Sequence, residues 1–290
     1  MNRFFTIIYS ICLFSFTIYV LLDTFVISEV YESVVDNINS SELIEKGEVL
    51  DTDTYYKDEN IEITLTTYRE NNTNIYVADV ICDSSYLKTA FAKNSYGKNV
   101  TEKTSTIASN VSALLAINGD YYGVQEYGYV LKNGVIYRNN AKNNQEDLVI
   151  YRDGTFEIID ESEISLESLL EKGAYNILSF GPGLINNGTI LVSLSDEVDR
   201  SMRSNPRTAI GKIADNHYVF VVSDGRTEES AGLSLYELAN FMQKLGCTLA
   251  YNLDGGGSST MYFNGNIINN PTTNGRIRER SVSDIVYIGY

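Results

Sequence analysis

The stretch Asn252-Leu253-Asp254-Gly255-Gly256-Gly257-Ser258-Ser259-Thr260-Met261 carries the densest chemistry in the sequence. A carboxylate is followed by three residues without side chains and then by hydroxyls. Glycine lets another group approach the backbone closely, and exposed N–H groups in such a turn can form an anion-binding concavity. A lone Gly-Gly-Gly after Asp reads equally well as a capped turn. Other segments end alike: Asn118-Gly119-Asp120, Gly181-Pro182-Gly183 and Ser223-Asp224-Gly225-Arg226 each follow an apolar run. Strand-end loops on a rigid sheet favour functional side chains. Together they supply three carboxylates beside glycine, Asp120, Asp224 and Asp254, enough for a carboxylate site or for a divalent cation.

An anionic partner needs cations. Arg203 and Arg207 flank Ser204-Asn205-Pro206, Arg226 follows Asp224-Gly225, and Arg276, Arg278 and Arg280 cluster before Ser281. Arginine offers a planar fork matched to phosphate oxygens. Arg207 opens an apolar strand after a proline turn and has the better claim to a fixed role; Arg276 and Arg278 read as surface charge. The single histidine, His217, reads as a strand-end residue, which removes the imidazole that Ser-His-Asp or Cys-His chemistry needs. No CxxC or Cys/His cluster suggests zinc. Cys82 and Cys247 read as isolated buried thiols, with one disulfide as the alternative.

The elements that position these groups read as follows. Ile61–Thr67 and Ile75–Ile81 form a hairpin around Asn71–Asn74. A short helix covers Thr104–Ser109, and Val111–Ile117 is the strand that leads to Asn118. Hairpins turn at Asn133-Gly134 and Asp153-Gly154, both expected as type I′ turns, and at Asn187-Gly188 and Asn264-Gly265. Ser165 caps a short helix that Gly173 ends. Thr208–Ile213 pairs with Tyr218–Val222. The clearest helix starts at the capping box Ser234/Glu237, shows Leu235, Leu238, Ala239, Met242 and Leu245 on one face, and stops at Gly246. It feeds the strand Cys247–Leu253. Val282–Ile288 closes the chain. The pattern predicts an α+β fold with a mixed, mostly antiparallel sheet and few helices, preceded by one N-terminal transmembrane helix.

That helix is Phe4–Leu22, an uncharged run long enough to span a bilayer core. Arg3 before it and Asp23, Glu29, Glu32 and Asp36 after it place the N-terminus in the cytoplasm and the rest outside. No Ala-x-Ala site follows, so an uncleaved anchor is favoured over a signal peptide. The segment 23–60 carries eleven acidic residues against two lysines in a chain of net charge −16; such a chain is no general nucleic-acid binder. The expected organisation is residues 1–27 as cytoplasmic tip and anchor, 28–60 as an acidic stalk with weak helical spacing at Val30, Val34, Val35 and Ile38, and 61–290 as the functional domain. The expected location is the cell membrane, single-pass, with the C-terminal domain extracellular.

The ordered set Asn118-Gly119-Asp120-Tyr121, Gly181-Pro182-Gly183-Leu184, Asn205-Pro206-Arg207-Thr208-Ala209-Ile210-Gly211, Asp224-Gly225-Arg226, Gly232–Ala239, Asn252–Ser259 and Arg280-Ser281-Val282-Ser283 resembles the phosphodiester glycosidase family. Residues 61–116 match it less distinctly. The resemblance implies hydrolysis of a sugar-1-phosphodiester at the glycosidic bond, giving free sugar and a phosphomonoester. An oxocarbenium-like transition state wants a carboxylate near the anomeric carbon and a base for water. Asp254 and Asp120 are the expected acid/base or stabilising pair. Asp224 holds sugar hydroxyls or Arg226; Arg207 and Arg280 hold phosphate; Gly255, Gly256, Gly257 and Ser258 lend donors; Asn118 orients Asp120 or binds the sugar. No cofactor is required on this reading, and a divalent cation is the open option. The expected partner is a phosphorylated glycan of the cell surface. The rival readings are a non-catalytic surface glycan-binding module and a metal-dependent phosphodiesterase that cuts P–O.

Overall fold

The computed structural model describes residues 3–34, 49–194 and 204–290. Two antiparallel sheets carry the fold. The larger has nine strands in the order Thr189–Ile190, Gly183–Asn186, Leu249–Leu253, Arg207–Ala214, His217–Ser223, Thr73–Cys82, Ile61–Glu70, Tyr55–Lys57 and Leu50–Asp51. The smaller has five: Asn266–Ile267, Met261–Phe263, Leu115–Asn118, Asp284–Ile288 and Leu87–Phe91. Successive side chains on a strand point to opposite faces, and the central strand His217–Ser223 uses both. Tyr218, Phe220 and Val222 join Leu115, Ile117, Met261, Phe263 and Val286 in the core between the sheets. Val219 and Val221 face outward, against Leu235, Leu238, Ala239 and Met242 of the helix Leu235–Lys244. The outer face of the smaller sheet, through Ala116, Ile285 and Tyr287, packs on Ile107 and Ala108 of the helix Thr104–Asn110. The layers therefore run helix, sheet, sheet, helix. A side sheet of Glu146–Tyr151, Phe156–Asp160 and Ala174–Leu178 packs on the short helix Leu166–Glu171.

The expected α+β class with mostly antiparallel sheets holds, and every pairing between the described strands is antiparallel. The capping box at Ser234/Glu237 closes as expected, and Cys82 and Cys247 are free and buried. Three local expectations change. The strand ending at Asn118 begins at Leu115, because the Val111 N–H still closes the preceding helix and Ser112 takes a positive φ. At Asp153-Gly154 only the glycine has positive φ, so the turn is not type I′; Asp153 Oδ1 accepts the Thr155 N–H at 2.9 Å instead.

The third change is at the expected stalk. Glu29–Ser33 pairs with Ser95–Lys98, and Leu50–Asp51 and Tyr55–Lys57 extend the large sheet. Strand pairing thus begins before Ile61. Val30 lies in a strand rather than on a helical face; Val35 and Ile38 lie outside the described residues. The N-terminal helix runs Arg3–Phe25, and its segment Ile7–Phe25 is long and apolar enough to cross a membrane.

Candidate active site

Register brings the acidic loop tips to one end of both sheets. Thr208 pairs with Leu253 and Arg207 with Ser223, so Asp254 and Asp224 leave the large sheet at one end of the two strands that flank Arg207–Ala214. Ile117 pairs with Met261 and Asn118 with Ile285, which sets Asp120, Thr260 and Asp284 at the matching end of the small sheet. Asn118 ties the two. Its Nδ2 donates to the Asp254 carbonyl at 2.6 Å, and its Oδ1 accepts from Thr208 Oγ1 at 2.8 Å and from the Thr260 N–H at 3.2 Å. Asn118 is fully buried; it fixes the Asp254 loop and does not reach out to a sugar or orient Asp120. From Asn118, Asp120 is two residues away, so the two carboxylate-bearing loops lie on the order of 10–15 Å apart along the backbone path.

Asp254 is the centre of a tight group. Ser258 Oγ donates to Oδ2 at 2.6 Å, and Arg280 NH2 donates to Oδ1 at 3.0 Å and Oδ2 at 2.8 Å. Arg280 Nε donates to Ser258 Oγ at 2.8 Å, closing a ring of three side chains. Burial pushes the Asp254 carboxyl above its ordinary range; Arg280 and Ser258 pull the other way without cancelling it. The Arg280 side chain stays 43% exposed.

The glycine loop combines close approach with donation, since the Gly255 N–H acts on Asp254. The Gly256 N–H goes to the Pro206 carbonyl and the Ser258 N–H to the Gly255 carbonyl, so those donors are consumed within the protein. A Cβ at Gly257 would lie 2.4 Å from Thr273 Oγ1 and 3.4 Å from Arg280 Cβ. A Cβ at Gly256, whose φ is +62°, would lie 3.0 Å from Arg226 NH2. Arg280 NH2 donates to the Gly255 carbonyl at 3.1 Å, so two guanidinium groups bracket the glycine loop. Arg226 is exposed and spends Nε and NH2 on Asn205 Oδ1 at 3.2 and 3.0 Å.

Asp120 is held differently. Its Oδ1 accepts the Tyr122 N–H at 3.0 Å, and Oδ2 accepts Lys132 Nζ at 2.9 Å and the Ser179 N–H at 3.1 Å. Lys132 Nζ also donates to Asp284 Oδ2 at 2.7 Å. All three side chains are 3% exposed or less. Burial pushes the Asp284 carboxyl up to about 7, with the Asp120 charge adding to it and Lys132 opposing it. Lys132 is pushed down by burial, but the two carboxylates outweigh that and hold it protonated. Both aspartates accept several donors, but the Asp120 side chain is 1% exposed against 11% for Asp254 and presents almost no carboxylate surface to a substrate.

The remaining expected residues have partners of their own. Asp224 accepts from Tyr76 Oη at 3.0 Å, from the Asn270 N–H at 2.8 Å and from Asn269 and Asn270 side chains at 3.3 and 3.2 Å; it clamps the Asn269-Asn270 loop and does not hold Arg226. Arg207 is buried, with Nε donating to the Leu233 carbonyl at 2.8 Å, which secures the segment before the helix Leu235–Lys244. Arg276 and Arg278 are exposed; Arg203 lies outside the described residues. Among the described residues no group of three His, Cys, Asp or Glu is arranged to hold a metal. Sequence reading missed Lys132 and Asp284. The signal was a charge set into buried strand positions, Val130-Leu131-Lys132 and Asp284-Ile285-Val286.

Comparison with known proteins bears on this arrangement. The family model described as phosphodiester glycosidase matches residues 112–289. The chain is 32% identical over 192 residues to an uncharacterized SPbeta prophage-derived protein of Bacillus subtilis, covering 65% of this chain and 28% of that one. It is 29% identical over 175 residues to mouse N-acetylglucosamine-1-phosphodiester alpha-N-acetylglucosaminidase, covering 54% of this chain and 33% of the relative. The matched part thus spans about a third or less of these relatives. Among solved structures, the catalytic domain of the zebrafish protein of the same name, auto-inhibited by its pro-peptide, superposes with a TM-score of 0.65 at 20% identity, over 91% of this chain and 88% of that one.

Proposed function

Since this chain belongs to the phosphodiester glycosidase family, we propose that it hydrolyses the glycosidic bond of a sugar-1-phosphodiester, with Asp254 as the working carboxylate. The observation that carries this is the glycine loop bracketed by Arg226 and Arg280 beside a buried Asp254. A phosphodiester seated over Gly255–Gly257 takes charge-assisted bonds from both guanidiniums, which places the anomeric carbon beside Asp254. Water attacks that carbon as the C1–O bond to phosphorus breaks. The water proton passes to Asp254, and the phosphomonoester leaves as an anion that Arg226 and Arg280 stabilise. Its leaving oxygen needs little protonation. Arg280 thus serves twice, positioning Asp254 and holding phosphate. Asp120, locked to Lys132 and to the N–H groups of Tyr122 and Ser179, holds the loop after Asn118 at the end of the site.

The apolar helix, with Arg3 before it and acids after it, supports a membrane anchor with the catalytic domain outside the cell. The substrate on that topology is a phosphodiester-linked glycan of the envelope. The proposed domain organisation is an anchor at residues 1–27 and a catalytic domain that takes in 61–290 and the strands paired onto it from residue 29 onward. The reading is tested by offering the detergent-solubilised chain a sugar-1-phosphodiester and measuring free sugar. Asp254→Asn is expected to abolish release while the circular dichroism spectrum stays that of the parent; undiminished release would remove Asp254 from the mechanism.

A further inference from the structure

The end of the N-terminal helix is fastened to the domain and not strung from a stalk. Asn99 Nδ2 donates to the carbonyls of Thr24 at 3.1 Å and Ile27 at 3.2 Å, and Ser28 Oγ donates back to the Asn99 carbonyl at 2.9 Å. Lys98 Nζ lies 4.0 Å from Asp23, the first acid after the apolar run. Glu29–Ser33 then pairs at once with Ser95–Lys98. The Asn99 N–H donates to the Gly123 carbonyl at 2.9 Å, and Gly123 is three residues from Asp120. The path from helix end to Asp120 is therefore one run of bonded groups, roughly 15–20 Å long at about 2–3.5 Å per residue.

The surface around this fastening carries exposed apolar and aromatic side chains beside the acids Glu29, Glu32 and Glu126. Val30 is 54% exposed, Tyr31 60%, Tyr121 43%, Val124 42% and Tyr127 55%. A cleft of about 180 Å³ lined by Tyr31, Tyr96, Lys98 and Tyr122 opens among them. Amphipathic tyrosines belong at the headgroup level of a bilayer, and the headgroup region is about 5–8 Å deep on each side of the hydrocarbon.

We propose that the face bearing Tyr31 and Val124, which line one cleft, rests on the outer leaflet, so that the Asp254 end of the sheets meets phosphodiesters carried by membrane lipids and not free ones. This rests on the anchored glycosidase reading above and narrows its substrate class to a sugar-1-phosphodiester whose second ester is on a lipid. The helix spans the bilayer, the Asn99 bonds prevent the domain from lifting away, and the exposed ring faces fill the interface. Membrane attachment supplies both the enzyme and its substrate in two dimensions, which raises their effective concentration to the millimolar range.

The test uses the full chain with Cys12→Ser, reconstituted into phosphatidylcholine/phosphatidylglycerol vesicles, with a fluorophore on Val124→Cys or on Asp215→Cys. Asp215 sits in the turn at the opposite end of the strands Arg207–Ala214 and His217–Ser223, roughly 24 Å away at 3.4 Å per residue. Headgroup-nitroxide lipids are expected to quench the Val124 label and spare the Asp215 label, and Asn99→Ala is expected to weaken the Val124 quenching while flotation with the vesicles persists. A chain that floats with neither label quenched overturns the docked face and leaves the anchor standing; a chain that fails to float overturns both. A synthetic lipid-borne sugar-1-phosphodiester in the same vesicles is expected to be cleaved on the order of 10²-fold faster than its soluble headgroup analogue at equal micromolar bulk concentration. Equal rates on the two would overturn the substrate class, whereas cleavage of neither would point to failure of the glycosidase reading itself.

Discussion

Replacing Lys132 by Met isolates what the buried triad does. The stem keeps its apolar packing, but Asp120 and Asp284 lose the one cation between them, bonded at 2.9 and 2.7 Å. Their charges then face each other across roughly 5–6 Å, a repulsion of about 3 kcal/mol at an effective dielectric of 20. Breaking a buried pair by removing one partner costs about 3–5 kcal/mol, a large share of a domain stability of about 5–15 kcal/mol. The cost must depend on pH. Asp284 has a folded-state pKa raised to about 7, so the folded state holds that proton more tightly than the unfolded chain does. Its contribution is fully present below the ordinary carboxylate range and is lost as pH rises through 7. Without Lys132 the carboxyl rises further, and the window extends upward. Urea unfolding of the detergent-solubilised chain, followed by tyrosine emission from the 22 tyrosines in a chain without tryptophan, is expected to show about 3–5 kcal/mol lost at pH 8.5 and markedly less at pH 5. Adding Asp284→Asn to the Met variant is expected to recover part of the loss at pH 8.5. A loss below about 1 kcal/mol at both pH values would refute the reasoning, since a pair worth that little behaves like an exposed one.

Gly257→Ala drives a methyl to 2.4 Å from Thr273 Oγ1; about 1–3 kcal/mol of destabilisation is expected in thermal melts, partly relieved by Thr273→Ala, and no relief would mean the contact is not the cause. Asn118→Leu removes all three bonds that tie Asp254, Thr208 and Thr260 and strands buried partners at about 1–3 kcal/mol each; unfolding midpoints check this. If Asp254 takes the water proton it must be ionised, so sugar release is expected to rise with pH through its raised pKa. Arg280→Gln, which removes the cation holding that pKa down, should move the acidic limb of kcat/KM to higher pH as well as weakening phosphate binding; an unmoved limb would dissociate Arg280 from Asp254.

Periodic elements were legible in the sequence because each is fixed by neighbouring residues: the capping box at Ser234, the Asn133-Gly134 turn, the apolar alternation of Tyr218–Val222. The strand-end position of Asp120, Asp224 and Asp254 was legible for the same reason. What their side chains touch was not, because the deciding partners are remote in sequence: Arg280 lies 26 residues from Asp254, Ser179 59 from Asp120 and Tyr76 148 from Asp224. A charge in a buried strand meets its counter-charge only in the fold, as Lys132 does at Asp284 on a strand of a different sheet. The expected stalk illustrates the converse: Glu29–Ser33 is acidic and exposed, so composition read as solvated linker, yet its backbone N–H and C=O groups complete an edge pairing that side-chain chemistry does not encode.

The most direct test of the account is hydrolysis of a sugar-1-phosphodiester by this chain in H₂¹⁸O, with mass spectrometry of both products. The account predicts ¹⁸O on the anomeric hydroxyl of the released sugar and none on the phosphomonoester. Label on phosphorus would place the cut at P–O and contradict it.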